Sequence, residues 1–238
     1  MKYEVNIKDF HNIPGRNFNY WISKQMMLNF NNLLQASLKC KTGLICGNNE
    51  KYIKYWYEVN DCNIGFNYSS LFSTSDNIYS WFPYNHGGEK RRWYGSHLEV
   101  VYLRNNGQKM GLEKNSMFRN SDFYFKKGIT WNRVGSGIKF AARIADNGFV
   151  FDDVSPSGFC DEEQYLSILG YMNSVVFNTY LRLFTNGLKV EIGQISNVPY
   201  KHISNKIIDL KSKECIEEEK REWDSFEISW DFKKHPLI

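Results

Sequence analysis

Residues 161–186 carry the longest helical pattern in the sequence, and this segment limits the fold more than any other. Apolar side chains recur there at helical spacing, at Tyr165, Ile168, Leu169, Met172, Val175, Val176, Tyr180 and Leu183. Glu162 and Glu163 precede the stripe, Arg182 stands near its end and Gly187 follows it, as the helix dipole and a C-terminal cap prefer. A helix with so wide an apolar face needs a sheet or further helices to cover it.

Short strand-like segments, separated by glycine and asparagine turns, fill the chain before that helix. The predicted strands are 98–103, 122–127, two strands within 129–143 around the turn at 135–137, 148–151 and, beyond the helix, 189–195. Residues 52–59 alternate aromatic and polar side chains as a strand does, but Glu50 and Lys54 also stand at helical spacing, so both structures stay open there. Together these segments predict an α+β fold, with mainly antiparallel, mixed sheets and packed helices.

The two ends of the chain are predicted to flank this body. Residues 19–31 have the pattern of a lead-in helix with Asn19 as N-cap. Residues 205–223 predict a highly charged helix with a thin apolar seam, formed by Ile207, Leu210, Cys215 and Ile216. Residues 222–238 are rich in aromatic side chains, which predicts a segment that packs on a neighbour. We therefore divide the chain into a lead-in segment and helix (1–33), a central domain (34–205) and a charged helix with an aromatic tail (206–238).

Cysteine content, histidine spacing and charge narrow the class of protein. The five cysteines are odd in number and form no CxxC pair, which favours reduced thiols in a cytoplasmic protein. The five histidines lack the close spacing of metal ligands. No apolar run reaches the length of a membrane span, and the N-terminal residues lack the apolar core of a signal peptide. The net charge of +4 permits nucleic-acid binding without demanding it.

Residues 81–95, with the sequence WFPYNHGGEKRRWYG, combine aromatic rings, three contiguous basic residues and a Gly-Gly turn. Gly87-Gly88 between aromatic-rich runs is an ordinary hairpin signal, and Lys90, Arg91 and Arg92 at its tip could serve only as solvated charges. Guanidinium groups and aromatic rings on an adaptable backbone are also what a surface needs to hold phosphates and read bases. Composition alone slightly favours the hairpin with a solvated tip, so the nucleic-acid interpretation depends on the rest of the chain.

Further basic and aromatic residues lie in or beside predicted turns and could converge on one edge of the body. The candidate DNA-binding residues are Lys90, Arg91, Arg92, Trp93, Tyr84 and Asn85, followed by Lys54, Arg133, Lys139 and Arg143. Arginine is the preferred side chain for bidentate contacts to phosphates and guanine edges. Any one of these charges is more often a solvated surface group, so the prediction depends on the set.

Other chemistry is less well supported. The segment 197–200, Asn-Val-Pro-Tyr, is close to an amino-methyltransferase motif, but valine replaces the first proline and no glycine-rich methyl-donor loop precedes it, so a proline-containing turn is favoured. Asp152 and Asp153 follow a predicted strand, where a turn is favoured over a metal-binding pair. Lys41-Thr42-Gly43 matches a serine acyl-enzyme motif without its Ser-x-x-Lys partner.

Seven stretches, which cover nearly the whole chain, occur in the order known from one protein family. They are 13–21 (IPGRNFNYW), 41–60, 81–95, 126–137, 148–152, 169–181 and 223–238, and the pattern PYNxGGExRxWYG at 83–95 is specific. Through them the chain resembles the C-terminal target-recognition domain of PglX-like adenine-specific DNA methyltransferases of BREX phage-defence systems, and of related single-chain restriction-modification enzymes.

The resemblance implies sequence-specific recognition of double-stranded DNA for adenine methylation, on a fold like that of type I specificity subunits. It also implies that this chain alone is no enzyme, because the methyltransferase domain with its S-adenosylmethionine site lies N-terminal to this region in the family. We therefore expect no cofactor or metal in this chain, and DNA, that catalytic domain and other phage-defence proteins as partners. The alternative is a protein-interaction module that docks the catalytic domain, another defence protein or a phage protein.

Overall fold

The computed structural model describes residues 13–16, 19–75, 78–134, 140–185, 188–202, 205–235 and 237. In this part of the chain the strands are β1 (Lys39–Lys41), β2 (Leu44–Ile45), β3 (Ile53–Tyr55), β4 (Trp81–Asn85), β5 (Glu99–Tyr102), β6 (Met117–Phe118), β7 (Gly128–Trp131), β8 (Ala142–Ala145), β9 (Val150–Phe151) and β10 (Ser157–Phe159). The α-helices are α1 (Lys24–Leu28), α2 (Asn49–Tyr52), α3 (Gln108–Gly111), α4 (Glu162–Met172), α5 (Val175–Leu181), α6 (Ile192–Ser196) and α7 (Lys206–Trp223). The structure is thus mixed α/β with mainly antiparallel sheets and several helices, which confirms the predicted class. Among the described residues, no helix has both the length and the apolar character needed to cross a membrane.

One four-stranded sheet carries the helices. Its strand order is β1-β10-β7-β8, and each neighbouring pair is antiparallel. Ile129 and Trp131, two positions apart on β7, project to the same side of the sheet and share a buried core with Ile168 and Met172 of α4. The apolar face of α4, the first part of the predicted helix, is therefore covered by this sheet.

The second four-stranded sheet has the order β3-β5-β4-β9, in which β4 and β9 run parallel. Phe82, Tyr84 and Val101 form its buried face, together with Phe151 at its edge. The prediction for 98–103 is confirmed by β5 and that for 148–151 by β9, while the open segment 52–59 contains strand β3 followed by a 3-10 turn. Gly43 belongs to this core, because a side chain there would place its Cβ 2.0 Å from the Phe151 carbonyl oxygen.

The predicted long helix is interrupted at Asn173 and Ser174, between α4 and α5. Asn173 forms two hydrogen bonds with the main chain of Ala142 in β8, while the Ser174 side chain accepts a bond from Phe177 N and begins α5. Val175 and Val176, which the periodicity placed in the buried stripe, are 82% and 56% exposed. The prediction of one continuous helix was therefore wrong.

Two predicted strands were also wrong. Residues 121–123 form a 3-10 turn and Phe125 has a positive φ of 66°, so 122–127 cannot continue as a strand. Residues 192–196 are α6, with Glu191 as the N-cap, whose N–H donates to Gln194 Oε1 at 2.8 Å.

Both ends of the described chain pack on the body. The lead-in helix begins at Lys24, with Ser23 rather than Asn19 as its N-cap. Helix α7 confirms the charged helix, but its predicted seam was only partly right. Cys215 and Ile216 are half-buried, whereas Ile207 and Leu210 are exposed, and Ser212 and Trp223 are the buried residues of the helix. Ser212 lies against Gly170 of α4, where a Cβ would come within 2.6 Å of the serine hydroxyl.

The aromatic tail docks on its own chain. Trp56 Nε1 donates a hydrogen bond to the Ile228 carbonyl at 2.9 Å, and Trp230 stacks on His97. The neighbour that the sequence pattern anticipated is thus the body of the same chain. The division at residues 33 and 205 remains a prediction, and the helix-bearing core includes Met27 and Trp223 from the two flanking segments.

Candidate nucleic-acid interface

The basic and aromatic stretch forms the connection between two paired strands. Strands β4 and β5 are antiparallel neighbours, so the hairpin prediction is confirmed, and residues 86–98 form a long connecting loop. Gly87 and Gly88 have φ values of 70° and 85°. A side chain at Gly88 would also place its Cβ 2.6 Å from the Ser96 hydroxyl, so the loop folds back closely on itself.

A network of hydrogen bonds around the buried side chains of Arg143 and Ser155 holds the Gly-Gly turn from beneath. Arg143 Nη2 donates to the Gly87 carbonyl at 3.0 Å, and Asn132 Nδ2 donates to the Gly88 carbonyl at 2.8 Å. Arg143 Nη1 also donates to Asn132 Oδ1 at 3.0 Å, and the Ser155 hydroxyl accepts from Gly87 N at 2.5 Å. Burial lowers the pKa of Arg143 to about 10, so its guanidinium stays charged at neutral pH. The turn conformation is therefore set by side chains from three distant parts of the chain.

Trp93 fixes the far side of the loop to the helix-bearing sheet. Its N–H donates to the Ala142 carbonyl and its carbonyl accepts from Ile144 N, both at 2.9 Å, so Trp93 pairs with the free edge of β8. The loop that starts and ends on one sheet is thus bonded midway to the other. Because both ends and the turn are bonded to the core, binding would lose little conformational entropy there.

The three basic residues at the tip have different surroundings. Lys90 and Arg92 are exposed, whereas Arg91 Nη2 pairs with Glu222 Oε2 at 2.7 Å and its guanidinium lies 5.0 Å from the centre of the Trp223 ring. Arg91 thus ties the loop to the end of α7. Lys90 and Arg92 remain the cations of this tip that face solvent.

The structure does not bring all the predicted DNA-binding residues to the surface. Tyr84, Asn85 and Arg143 are at most 1% exposed, because β4 lies inside its sheet and Arg143 projects under the loop, so direct DNA contact is not retained for them. Arg133 is engaged by the carboxylates of Asp153 and Glu191. Lys54 is half-buried on the edge strand β3, and Lys139 lies outside the described residues.

Sequence reasoning missed His86, which stands at the start of the loop. Its Nδ1 lies 3.0 Å from Glu99 Oε2, its Nε2 lies 3.4 Å from Asp152 Oδ2, and its ring stacks on Tyr84. Burial opposes protonation of His86, but the Glu99 hydrogen bond and the Asp152 charge outweigh it and raise the pKa above its ordinary value. Nothing in the local sequence signals that His86 lies between two carboxylates, because Glu99 comes from β5 and Asp152 from the turn after β9.

The Asp152-Asp153 pair and the segment 197–200 both have structural explanations. Asp152 follows β9 and accepts a hydrogen bond from Ser155 N at 2.6 Å, as expected for a turn at the end of a strand, and burial raises its pKa to about 7. Within the described residues, no group of histidine, cysteine and carboxylate side chains could hold a metal ion. The Val198 and Pro199 carbonyls accept hydrogen bonds from Leu34 N and the Tyr171 hydroxyl, so 197–200 serves as a packed turn.

Comparison with known proteins gives two close matches, and no family model matches the chain. The chain is 32% identical over 252 residues to the adenine-specific methyltransferase PglX of Lacticaseibacillus casei (strain Zhang), a match that covers 99% of this chain and 20% of that protein. It is also 32% identical over 234 residues to the adenine-specific methyltransferase BrxX of Escherichia coli O9:H4 (strain HS), covering 97% of this chain and 18% of that protein. The chain thus spans about a fifth of the length of these curated relatives.

Proposed function

We propose that this chain recognises the DNA target of an adenine-specific DNA methyltransferase of a phage-defence or restriction-modification system. The similarity over nearly the whole chain to a fifth of two such methyltransferases supports the methylation system. The observation that carries the recognition role is the loop 86–98, which presents Lys90 and Arg92 beside a turn fixed by side-chain hydrogen bonds from Asn132 and the buried Arg143.

In this proposal, the loop positions cations rather than performing chemistry. Lys90 and Arg92 contact phosphates or base edges, while Arg91 and Trp93 hold the loop against α7 and β8. A preorganised loop favours specificity, because a wrong sequence cannot be accommodated by rearrangement at low cost. The methyl donor, S-adenosylmethionine, and the catalytic groups are assigned to the part of the methyltransferase outside the matched segment. The proposed setting is the cytoplasm, where the target DNA is encountered. A fold like that of type I specificity subunits remains part of the proposal.

Replacing Lys90 and Arg92 together by alanine is expected to weaken binding to duplex DNA and to reduce its salt dependence. Loss of two phosphate contacts should lower the slope of log affinity against log salt concentration by about 2. Fluorescence anisotropy with a random-sequence duplex pool, measured at several salt concentrations, gives this slope.

The matched control for this experiment is Lys109→Ala with Lys114→Ala, two exposed lysines on and just after α3 that carry the same total charge. Equal losses in both double variants would mean that only net charge matters, and would remove the loop from the proposal. Arg91→Ala should have the smaller effect of a residue that positions the loop.

A groove between helices favours a second candidate function, the docking of the catalytic part of such a methyltransferase. The groove has a volume of about 1010 Å³ and lies between α1, α4, α5 and α7. Leu28 and Val176, both more than half exposed, line it together with Ile207. Exposed apolar side chains gathered in one groove indicate a protein contact. The relatives are five times longer than the matched segment, so a methyltransferase segment is the occupant that we propose.

Leu28→Asp combined with Val176→Asp is expected to weaken association with a separately supplied methyltransferase segment by about tenfold or more, since two apolar contacts are lost and two charges are introduced. Isothermal titration calorimetry measures the affinity, which should persist at salt concentrations that abolish DNA binding. Leu112→Asp is the control, because Leu112 is 87% exposed and lies outside the groove. If both variants associate like the unmodified chain, the groove is not the docking surface.

A further inference from the structure

A second cavity, of about 490 Å³, lies where the tail and the end of α7 meet the body, apart from both the Gly-Gly turn and the helical groove. Six rings line it, those of Trp56, Phe66, Tyr94, His97, Phe149 and Trp230. The rings come from four regions of the chain that only the fold brings together. An aromatic lining of this kind offers the negative faces of π-systems to a ligand.

The tail supplies one wall of the cavity. Trp230 stacks on His97 with ring centres 5.8 Å apart and contacts Phe66 and Phe149 edge-on or tilted, at 5.4 and 5.7 Å. The preceding residues are anchored, since Ile228 accepts the Trp56 indole hydrogen bond and the Ser229 hydroxyl donates to Asp224 at 2.7 Å. The wall is therefore a fixed part of the fold.

The charged groups around the rings leave a surplus of negative charge. Three carboxylates line the cavity, at Asp61, Asp146 and Asp231, against the single ammonium of Lys220. Lys220 is already paired with Asp224 at 2.7 Å and with Asp231 at 3.2 Å. Asp61 and Asp146 have no side-chain hydrogen bond or ion pair with any described residue of the chain. Burial raises the pKa of Asp146 and outweighs the opposing charges of Lys220 and Lys127, so these lysines compensate its carboxylate only in part.

His97 does not supply the missing positive charge. Burial, together with the charges of Arg143 and Lys220, lowers its pKa to about 3, so the imidazole is neutral at physiological pH. Its Nε2 is buried and has no hydrogen-bond partner in the described part of the chain. The wall thus consists of neutral rings with carboxylates at their margin.

We propose that this cavity binds an organic cation, namely a guanidinium or alkylammonium group. Stacked and edge-on rings attract such cations through their π-faces, and Asp146 with Asp61 supplies the opposite charge. The same carboxylates repel phosphate, so this site is separate from a DNA-binding surface and goes beyond the proposed function. The cation is either a free small molecule or the side chain of an arginine or lysine in a partner protein.

Titration with ethylguanidinium chloride at millimolar concentration tests the proposal. Binding should shift the indole N–H signals of Trp56 and Trp230 in nitrogen–proton correlation spectra, while ethylurea, a neutral analogue, should shift neither. Asp146→Asn, which keeps the size of the side chain, should weaken ethylguanidinium binding by about tenfold or more, and Trp230→Leu should do the same. An arginine-containing tripeptide that binds more tightly than ethylguanidinium would identify a protein side chain as the source, whereas equal or weaker binding would identify a free small cation.

The control is Asp122→Asn, which removes the same charge from an exposed turn outside the cavity and should leave binding unchanged. The proposal fails if ethylurea and ethylguanidinium bind equally, since charge would then play no part, or if neither binds. It also fails if Asp146→Asn and Asp122→Asn have the same effect. Even if a variant does not fold, the comparison of ethylguanidinium with ethylurea on the unmodified chain still tests the proposal.

Discussion

Replacing Asn173 by alanine is expected to lower the free energy of unfolding by about 2–4 kcal/mol. The Asn173 amide accepts from Ala142 N at 3.0 Å and donates to the Ala142 carbonyl at 2.9 Å, and both residues are buried. After the substitution the carbonyl keeps its bond from Trp93 N, but the Ala142 N–H is left without a partner away from water. An unpaired buried donor together with a second lost hydrogen bond accounts for the expected cost.

Urea denaturation measures this cost, and Asn178→Ala provides a graded comparison. The Asn178 side chain accepts only one main-chain bond from that region, from Phe140 N at 2.8 Å, and is half-buried. Its removal should therefore cost less, about 1–2 kcal/mol. If Asn173→Ala lowers the free energy of unfolding no more than Asn178→Ala does, the role assigned to Asn173 is contradicted.

The helix break at Asn173 shows why periodicity located the helical region but not its interruption. Val175 and Val176 fall on the apolar stripe by spacing, so the pattern alone continues through them. The break is set by a distant strand, β8, whose edge Asn173 covers. Ser174 was the available signal, because serine before an apolar run is a common N-cap.

The strands were predictable where hydrophobic residues run together and not where turns intervene. Residues 98–103 lie in the middle of a sheet and read as a strand from composition alone. Residues 122–127 are just as aromatic, but Phe125 N bonds to the Phe149 carbonyl from a left-handed conformation that no local pattern announces. At 189–195, Glu191 and Gln194 have the spacing of a capping box, which outweighs the alternating pattern.

The candidate interface could be located from the sequence, but its individual residues could not. The combination of glycines, aromatics and arginines pointed to 81–95, and the structure places those residues on strand β4 and in the loop that follows it. The sequence does not distinguish Arg133 from Arg143. In the structure Arg133 is paired with carboxylates near the surface, whereas Arg143 is enclosed under the loop. That difference arises from long-range packing, which a single sequence does not reveal.

Acidification to pH 5 is expected to remove about 2 kcal/mol of stability through His97 alone. In the unfolded chain His97 takes up a proton near its ordinary pKa of 6.5, whereas in the folded protein burial and the charges of Arg143 and Lys220 lower that pKa to about 3. The unfolded state therefore binds more protons between these values. The contribution is complete above about pH 6.5 and is lost progressively as the pH falls toward the folded-state pKa.

The measurement is the free energy of unfolding at pH 7 and pH 5 for the unmodified chain and for His97→Phe, which keeps a ring against Trp230 and cannot titrate. Any packing change in the variant cancels in the difference between the two pH values, so the variant should lose about 2 kcal/mol less than the unmodified chain. His86→Asn is the control of opposite sign, because the folded-state pKa of His86 is raised and its removal should not diminish the loss at pH 5. If the unmodified chain and His97→Phe lose equal stability, His97 is not held neutral. If the loss is as expected, His97 stays neutral in the folded protein at pH 5, so it adds no positive charge to the wall of the aromatic cavity between pH 7 and pH 5.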